Sequence, residues 1–124
     1  MTERRLIVGR TGEDAAMQYL LQRGYCILER NYRCRFGEVD LIARDGSILT
    51  FIEVKTRRSR TFGPAAAAVT LTKQRHLAKA SQMYMAQHGK SYDLCRFDVV
   101  TIEMNGQGLQ IELIKDAFQP SPYL

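Results

Sequence analysis

The sequence predicts an α/β domain in which a mixed sheet carries helices on its faces. Three observations lead there. Two stretches repeat apolar residues at helical spacing. Five short runs are rich in β-branched and aromatic residues. The dipeptides Asp45-Gly46 and Asn105-Gly106 mark tight turns between such runs. The element order is αβββαβ with one extra strand, and strands separated by a long helix suggest a mixed sheet.

The first helix is expected over residues 12–23. Thr11 is placed to cap it, and Asp14 stands in the capping-box position. Ala15, Ala16, Tyr19 and Leu20 form its apolar stripe, and Gly24 is a natural stop. A strand with a polar end follows over 25–33. Gly37 opens a second strand, 38–44, which the Asp45-Gly46 turn joins to a third, 47–56. A second helix is expected over 72–88, with Leu77, Ala80, Ser81, Tyr84 and Met85 on one face and Gly89 as its stop. Strands over 95–104 and 109–115 complete the order. The whole reads as one domain, 1–118, with a Pro-containing tail, 119–124.

Composition narrows the class. With 124 residues, 45% hydrophobic and 25% charged, the chain can bury one core without disulfide or metal staples. No apolar run approaches a membrane span, and the polar N-terminus lacks the apolar stretch of a secretory signal. A cytoplasmic location is therefore expected. Cys26, Cys34 and Cys95 show no C-x-x-C spacing, and His76 and His88 have no metal-ligand partners in sequence. No P-loop, dinucleotide fingerprint or Ser–His–Asp spacing is present, so ATP-driven, redox and acyl-transfer chemistry lack support. The net charge of +5 points only weakly to nucleic acid. Its distribution is more informative. Arginines gather at Arg4, Arg5 and Arg10, at Arg30, Arg33 and Arg35, and at Arg57, Arg58 and Arg60, and the last two groups frame Glu38, Asp40 and Glu53.

Turn chemistry supplies a register for the first hairpin. If Asp45 and Gly46 are the whole loop, Glu38 faces Glu53, Asp40 faces Phe51, and Phe36 faces Lys55. Glu38, Asp40, Glu53 and Lys55 then share one face with Ile42, Leu49 and Phe51. The other face, Val39, Leu41 and Ala43 against Ile48, Thr50, Ile52 and Val54, reads as core. Carboxylates crowded across a strand pair repel one another. Two explanations stand side by side. Lys55 and the arginines pair with the acids on a solvated face, or a divalent cation, Mg²⁺ or Mn²⁺, offsets the repulsion.

The pattern of Asp40 followed by Glu53-Val54-Lys55 resembles the PD-(D/E)xK nucleases, whose restriction-endonuclease-like core has the order αβββαβ. The chain is also similar, over nearly its whole length, to the YraN-like family of small bacterial proteins. The segments that carry this likeness are Gly9 to Glu13, Asn31 to Arg33, Gly37 to Ile42, Phe51 to Arg57 and Arg96 to Val99. Val39 stands where the nominal motif has Pro. The resemblance implies a metal held by Asp40 and Glu53, with Glu13 as a further ligand from the first helix. It also implies that Lys55 orients the attacking water or stabilises developing charge. Glu13 has a plainer explanation too, since acids in a first helical turn favour the helix dipole. Glu38 would support the metal ligands or pair with an arginine. Arg10, Arg35, Arg57, Arg58, Arg60 and Lys73 are candidate nucleic-acid contacts, and solvated polar surface explains them equally well.

The function expected first is metal-dependent endonuclease activity on structured or branched DNA, the branched-DNA detail resting on the resemblance alone. A non-catalytic nucleic-acid-binding module and a protein-interaction domain with an acidic hairpin are the alternatives. Nucleic acid, DNA first, is the expected partner, with no membrane, and homodimer formation is left open.

Overall fold

The structure is a computed structural model that describes residues 3–57, 69–88, 94–106 and 108–120, without the side chains of residues 3–11 and 105. Its order is α1 (Glu3–Gln22), β1 (Cys26–Cys34), β2 (Gly37–Asp45), β3 (Ile48–Arg57), α2 (Leu71–Gln87), β4 (Cys95–Asn105) and β5 (Gly108–Ile114). The strands form one mixed sheet in the order β1-β2-β3-β4-β5. β3 and β4 run parallel and every other neighbouring pair is antiparallel. This is the expected αβββαβ core with an added C-terminal strand.

α1 starts well before residue 12, so Thr11 lies inside it and is not its cap. The upstream residues Glu3, Arg4, Arg5 and Leu6 are good helix formers and extend the helix. Gly12 has a packing reason to be glycine: a Cβ there would run into Thr56 Oγ1 of β3. The close approach brings the Glu13 turn of α1 down onto the sheet. α2 is capped as its sequence allows, with Thr70 Oγ1 accepting from the Lys73 amide at 3.1 Å. Gly89, its expected stop, lies outside the described residues. The helix closes at His88, whose amide donates to the Tyr84 carbonyl.

The two helices cover opposite faces of the sheet. Ile42, Leu49, Phe51, Phe97 and Val99 pack with Leu77, Ala80 and Tyr84 of α2. Leu41, Ala43, Ile52, Val100 and Ile102 pack with Ala16 and Leu20 of α1. Thr50, fully buried, satisfies its hydroxyl by donating to the Ala43 carbonyl at 3.0 Å.

Two details of the hairpin differ from expectation. Asp45 pairs with Ile48, so the loop is Gly46-Ser47, not Asp45-Gly46. Gly46 takes the positive φ, 61°, that a two-residue hairpin loop asks of its first residue. Asp45 stays in the strand because Arg96 and Lys115 grip its carboxylate at 2.8 and 3.3 Å. The register therefore moves by two residues. Continued past the last pair, Leu41 with Ile52, it sets Asp40 level with Glu53, where the alternation of β2 breaks. Because the shift is even, it does not turn a strand over.

The second difference is a break in alternation. Val39 packs on the α2 side, whereas Leu41 packs on the α1 side, so Val39 does not share a face with Leu41 and Ala43. β1 breaks at the same level: Arg30 reaches Glu13 and Asp14 of α1, while Tyr32 donates to Gln87 of α2. Asn31 and Asp40 are the residues between the Arg30–Leu41 and Tyr32–Val39 pairs. Asn31 has φ 53°, a left-handed conformation that turns the strand by one position. Asp40 thus sits where the sheet changes face.

Candidate active site

The break at Asp40 opens the hairpin ladder and gives its carboxylate a backbone donor. Asp40 Oδ2 accepts from the Val54 amide at 2.8 Å, in place of the carbonyl a regular ladder would offer. One oxygen is thereby anchored beside β3. Glu53, the residue before Val54, is buried on the same level and its side chain is only 5% exposed. Its Oε1 lies 3.6 Å from Lys55 Nζ and its Oε2 lies 3.8 Å from Lys73 Nζ. Oε2 is buried and has no hydrogen-bond partner among the described residues.

Both carboxyl groups are held above their ordinary range. Burial, and then the charge of Glu53, pushes Asp40 up to about 7, against the pull of the Val54 amide. Burial also raises Glu53, and Lys73 and Lys55 oppose the rise. A buried, mutually repelling pair with an oxygen that no donor meets is the donor set a divalent cation suits.

The other expected residues distribute around this pair. Glu13 stands close enough for its charge to raise Asp40 further, yet its carboxylate also faces Arg30 at 3.6 Å. Glu38 pairs with Arg33 at 3.5 Å, and its backbone carbonyl lies 3.5 Å from Lys73 Nζ. Arg35 lays its guanidinium over the Phe36 ring at 4.8 Å, and the ammonium of Lys79 of α2 lies 5.8 Å from the same ring. Arg57 ends β3 beside Glu103. Arg58 and Arg60 lie outside the described residues, as does the side chain of Arg10. Among the described residues, no three His, Cys, Asp or Glu side chains gather as a metal-binding group. The pair Asp40 and Glu53 is thus the acidic centre, with Lys55 and Lys73 as its counter-charges.

A second polar centre escaped the sequence reading. Asp98, fully buried on β4, takes Arg96 Nε on Oδ1 at 2.8 Å and Arg96 Nη2 on Oδ2 at 3.0 Å. Tyr25 donates to the same Oδ2, and the Asp116 amide donates to Oδ1. Burial pushes the Tyr25 phenol far up, while Arg96 holds Asp45 below the usual carboxylate range. Besides the place of Arg96 to Val99 among the segments that carry the family likeness, the signal in the sequence was an Arg and an Asp two apart in a strand, which places them on one face and says nothing of their distant partners. A pocket of about 370 Å³ opens nearby, lined by Arg96, Phe97, Asp116 and Phe118 among others. It does not include Asp40 or Glu53. Its size does not make it the better candidate, because its charged groups, Arg96 and Asp116, already have partners.

The chain matches the model of the uncharacterised protein family UPF0102 over residues 12–102. It is 50% identical to a UPF0102 protein of Symbiobacterium thermophilum over 90% of this chain and 95% of the relative. It is 48% identical to one of Syntrophus aciditrophicus, covering 92% and 90%. It is 49% identical to one of Geobacter metallireducens, covering 90% and 92%. The chain belongs to the UPF0102 family.

Proposed function

We propose that this member of the UPF0102 family is a cation-dependent nuclease that hydrolyses phosphodiester bonds, with structured or branched DNA as its expected substrate. One observation carries the reading: Glu53 Oε2 is buried beside Asp40 with no hydrogen-bond partner among the described residues, and the two acids share a site with two lysines. A buried carboxylate oxygen without a donor is costly, and a function that needs it open explains why it persists.

Asp40 and Glu53 would hold the cation, Mg²⁺ or Mn²⁺. When bound, the cation supplies positive charge to phosphoryl oxygens and acidifies a nearby water. The chain's own groups do the rest. The Val54 amide fixes the Asp40 carboxylate at 2.8 Å, so the acid is oriented before any ligand arrives. Glu53 keeps the Lys55 ammonium within 3.6 Å, where it can orient a water and stabilise charge developing on the phosphate. Lys55 is 40% exposed, so its ammonium can meet a substrate on the surface. Glu13, whose charge is felt at Asp40, lends further negative potential from α1. Arg35 and Arg57, together with Arg10, Arg58 and Arg60, are the proposed grips on the phosphate backbone.

The test is cleavage of a panel of branched, duplex and single-stranded DNA with Mg²⁺ or Mn²⁺. The wild type should cleave only with cation. Asp40→Asn and Lys55→Ala should each lose about 10²–10³-fold in rate, the usual worth of one electrostatic group at such a site. A wild type that binds the panel in a salt-dependent way and cleaves nothing would replace this reading with that of a non-catalytic binding module.

A further inference from the structure

Lys73 belongs to no strand of the hairpin, yet it reaches the oxygen that the hairpin leaves open. Its amide is fixed by Thr70 Oγ1 at 3.1 Å, in the first turn of α2. From there its side chain runs to β2 and β3, where Nζ lies 3.5 Å from the Glu38 carbonyl and 3.8 Å from Glu53 Oε2. At 3.8 Å the ammonium feels the carboxylate charge without making the hydrogen bond that would satisfy Oε2. A cation in a first helical turn opposes the helix dipole, and α2 has no acid there to compensate. Helix stability therefore does not explain the placement, and the acidic pair does.

Counting charge sharpens the point. Glu38 is matched by Arg33, and Arg30 is shared between Asp14 at 2.9 Å and Glu13 at 3.6 Å. Asp40 and Glu53 are left to Lys55 and Lys73, so these two acids face two ammonium groups before any ion enters. A divalent ion would sit about 2.1 Å from a ligand oxygen, well inside the distance Lys73 now keeps. It would bring two positive charges and repel the ammonium that faces Oε2.

We propose that Lys73 is a tethered placeholder for the cation: it neutralises Glu53 Oε2 in the cation-free protein and is displaced when the cation binds, which frees its ammonium for a bound phosphate. This rests on the cation site proposed above. Lys73 is a positioning residue in this role, acting on the site through Glu53.

The experiment is calorimetric titration of the full chain with Mn²⁺ at about pH 8, where Asp40 is mostly ionised. Lys73→Met removes the competing charge and should tighten Mn²⁺ binding about fivefold or more. Lys73→Arg, which restores the charge, should return the affinity toward the wild-type value. Lys79→Met removes the same charge from α2 at a side chain whose ammonium lies 5.8 Å from the centre of the Phe36 ring, and should change affinity by less than about twofold. Unchanged or weaker Mn²⁺ binding by a folded Lys73→Met protein would overturn the placeholder role alone. Equal tightening by Lys79→Met would overturn it as well, by showing a general charge effect. A wild type that takes up no Mn²⁺ would instead remove the cation site itself, and with it the nuclease reading.

Discussion

Two acidic centres sit on one sheet, and they are built in opposite ways. At Asp98 and Asp45 every acid meets a donor: Arg96 bridges both, Tyr25 and the Asp116 amide complete Asp98, and Lys115 adds to Asp45. At Asp40 and Glu53 burial comes without full compensation, and both acids are pushed up. Asp45 and Asp40 lie about 17 Å apart along one strand, at about 3.4 Å per residue. The contrast separates a buried acid that holds the fold together from one proposed to take a ligand. The first has been given all its partners, and the second is short of one.

The comparison breaks most visibly at Asp98. Asp98→Ala leaves Arg96 partly buried with half its partners, and should destabilise the protein by about 3–5 kcal/mol in chemical denaturation. The stabilisation that the proposed site would draw from Mn²⁺ should survive in whatever fraction remains folded. If Mn²⁺ response and stability fell together, the two centres would not be independent.

Asp40→Asn should act with the opposite sign. The folded protein raises Asp40 from 3.8 to about 7. That raised value adds stability below about pH 4, and the benefit is lost as pH rises through about 7. The cation-free wild type should therefore be more stable near pH 5 than near pH 8. Asp40→Asn should flatten that slope and gain about 1–3 kcal/mol at pH 8. Asp45, held low by Arg96, contributes the other way: its stabilisation is present above about pH 4 and lost as pH falls below it. Thermal melts across pH, without cation, measure both limbs.

Tyr25→Phe removes one hydroxyl from the satisfied centre, where it donates to Asp98 and accepts from Arg96 at 2.9 Å. A loss of about 1–1.5 kcal/mol is expected, because other donors remain on Asp98. Glu53→Gln should be the smallest change. It relieves repulsion with Asp40 and leaves two lysines that are 40% and 32% exposed, so the cation-free melt should shift by less than about 1 kcal/mol. It should also abolish stabilisation by Mn²⁺. A clearly lower melt without cation, beside a wild type indifferent to cation, would make Glu53 a structural partner of Lys55 and end the contrast.

Element order, helix faces and the carboxylate–lysine hairpin were readable from the residues alone. Local spacing has a period, and Leu77, Ala80, Ser81 and Tyr84 of α2 are buried as their spacing requires. The hairpin's parity was readable for the same reason from Leu41 and Ile52 to the turn, since a period of two fixes which residues share a face, and it failed at Val39, beyond the break in β2. Its absolute register was not. That depended on Asp45 staying in β2, which Arg96 and Lys115 decide from strands far along the chain. The turn of the sheet at Asn31 and Asp40 was also hidden, because a single left-handed residue leaves no periodic signal. Lys73 could be named a candidate contact from its place at the start of a helix. Only the packing of α2 across β2 and β3 set its ammonium beside Glu53 Oε2. Charge pairs act through space, at distances the chain closes only once its sheet has formed, so the tertiary structure alone decided which acids were satisfied and which was left open.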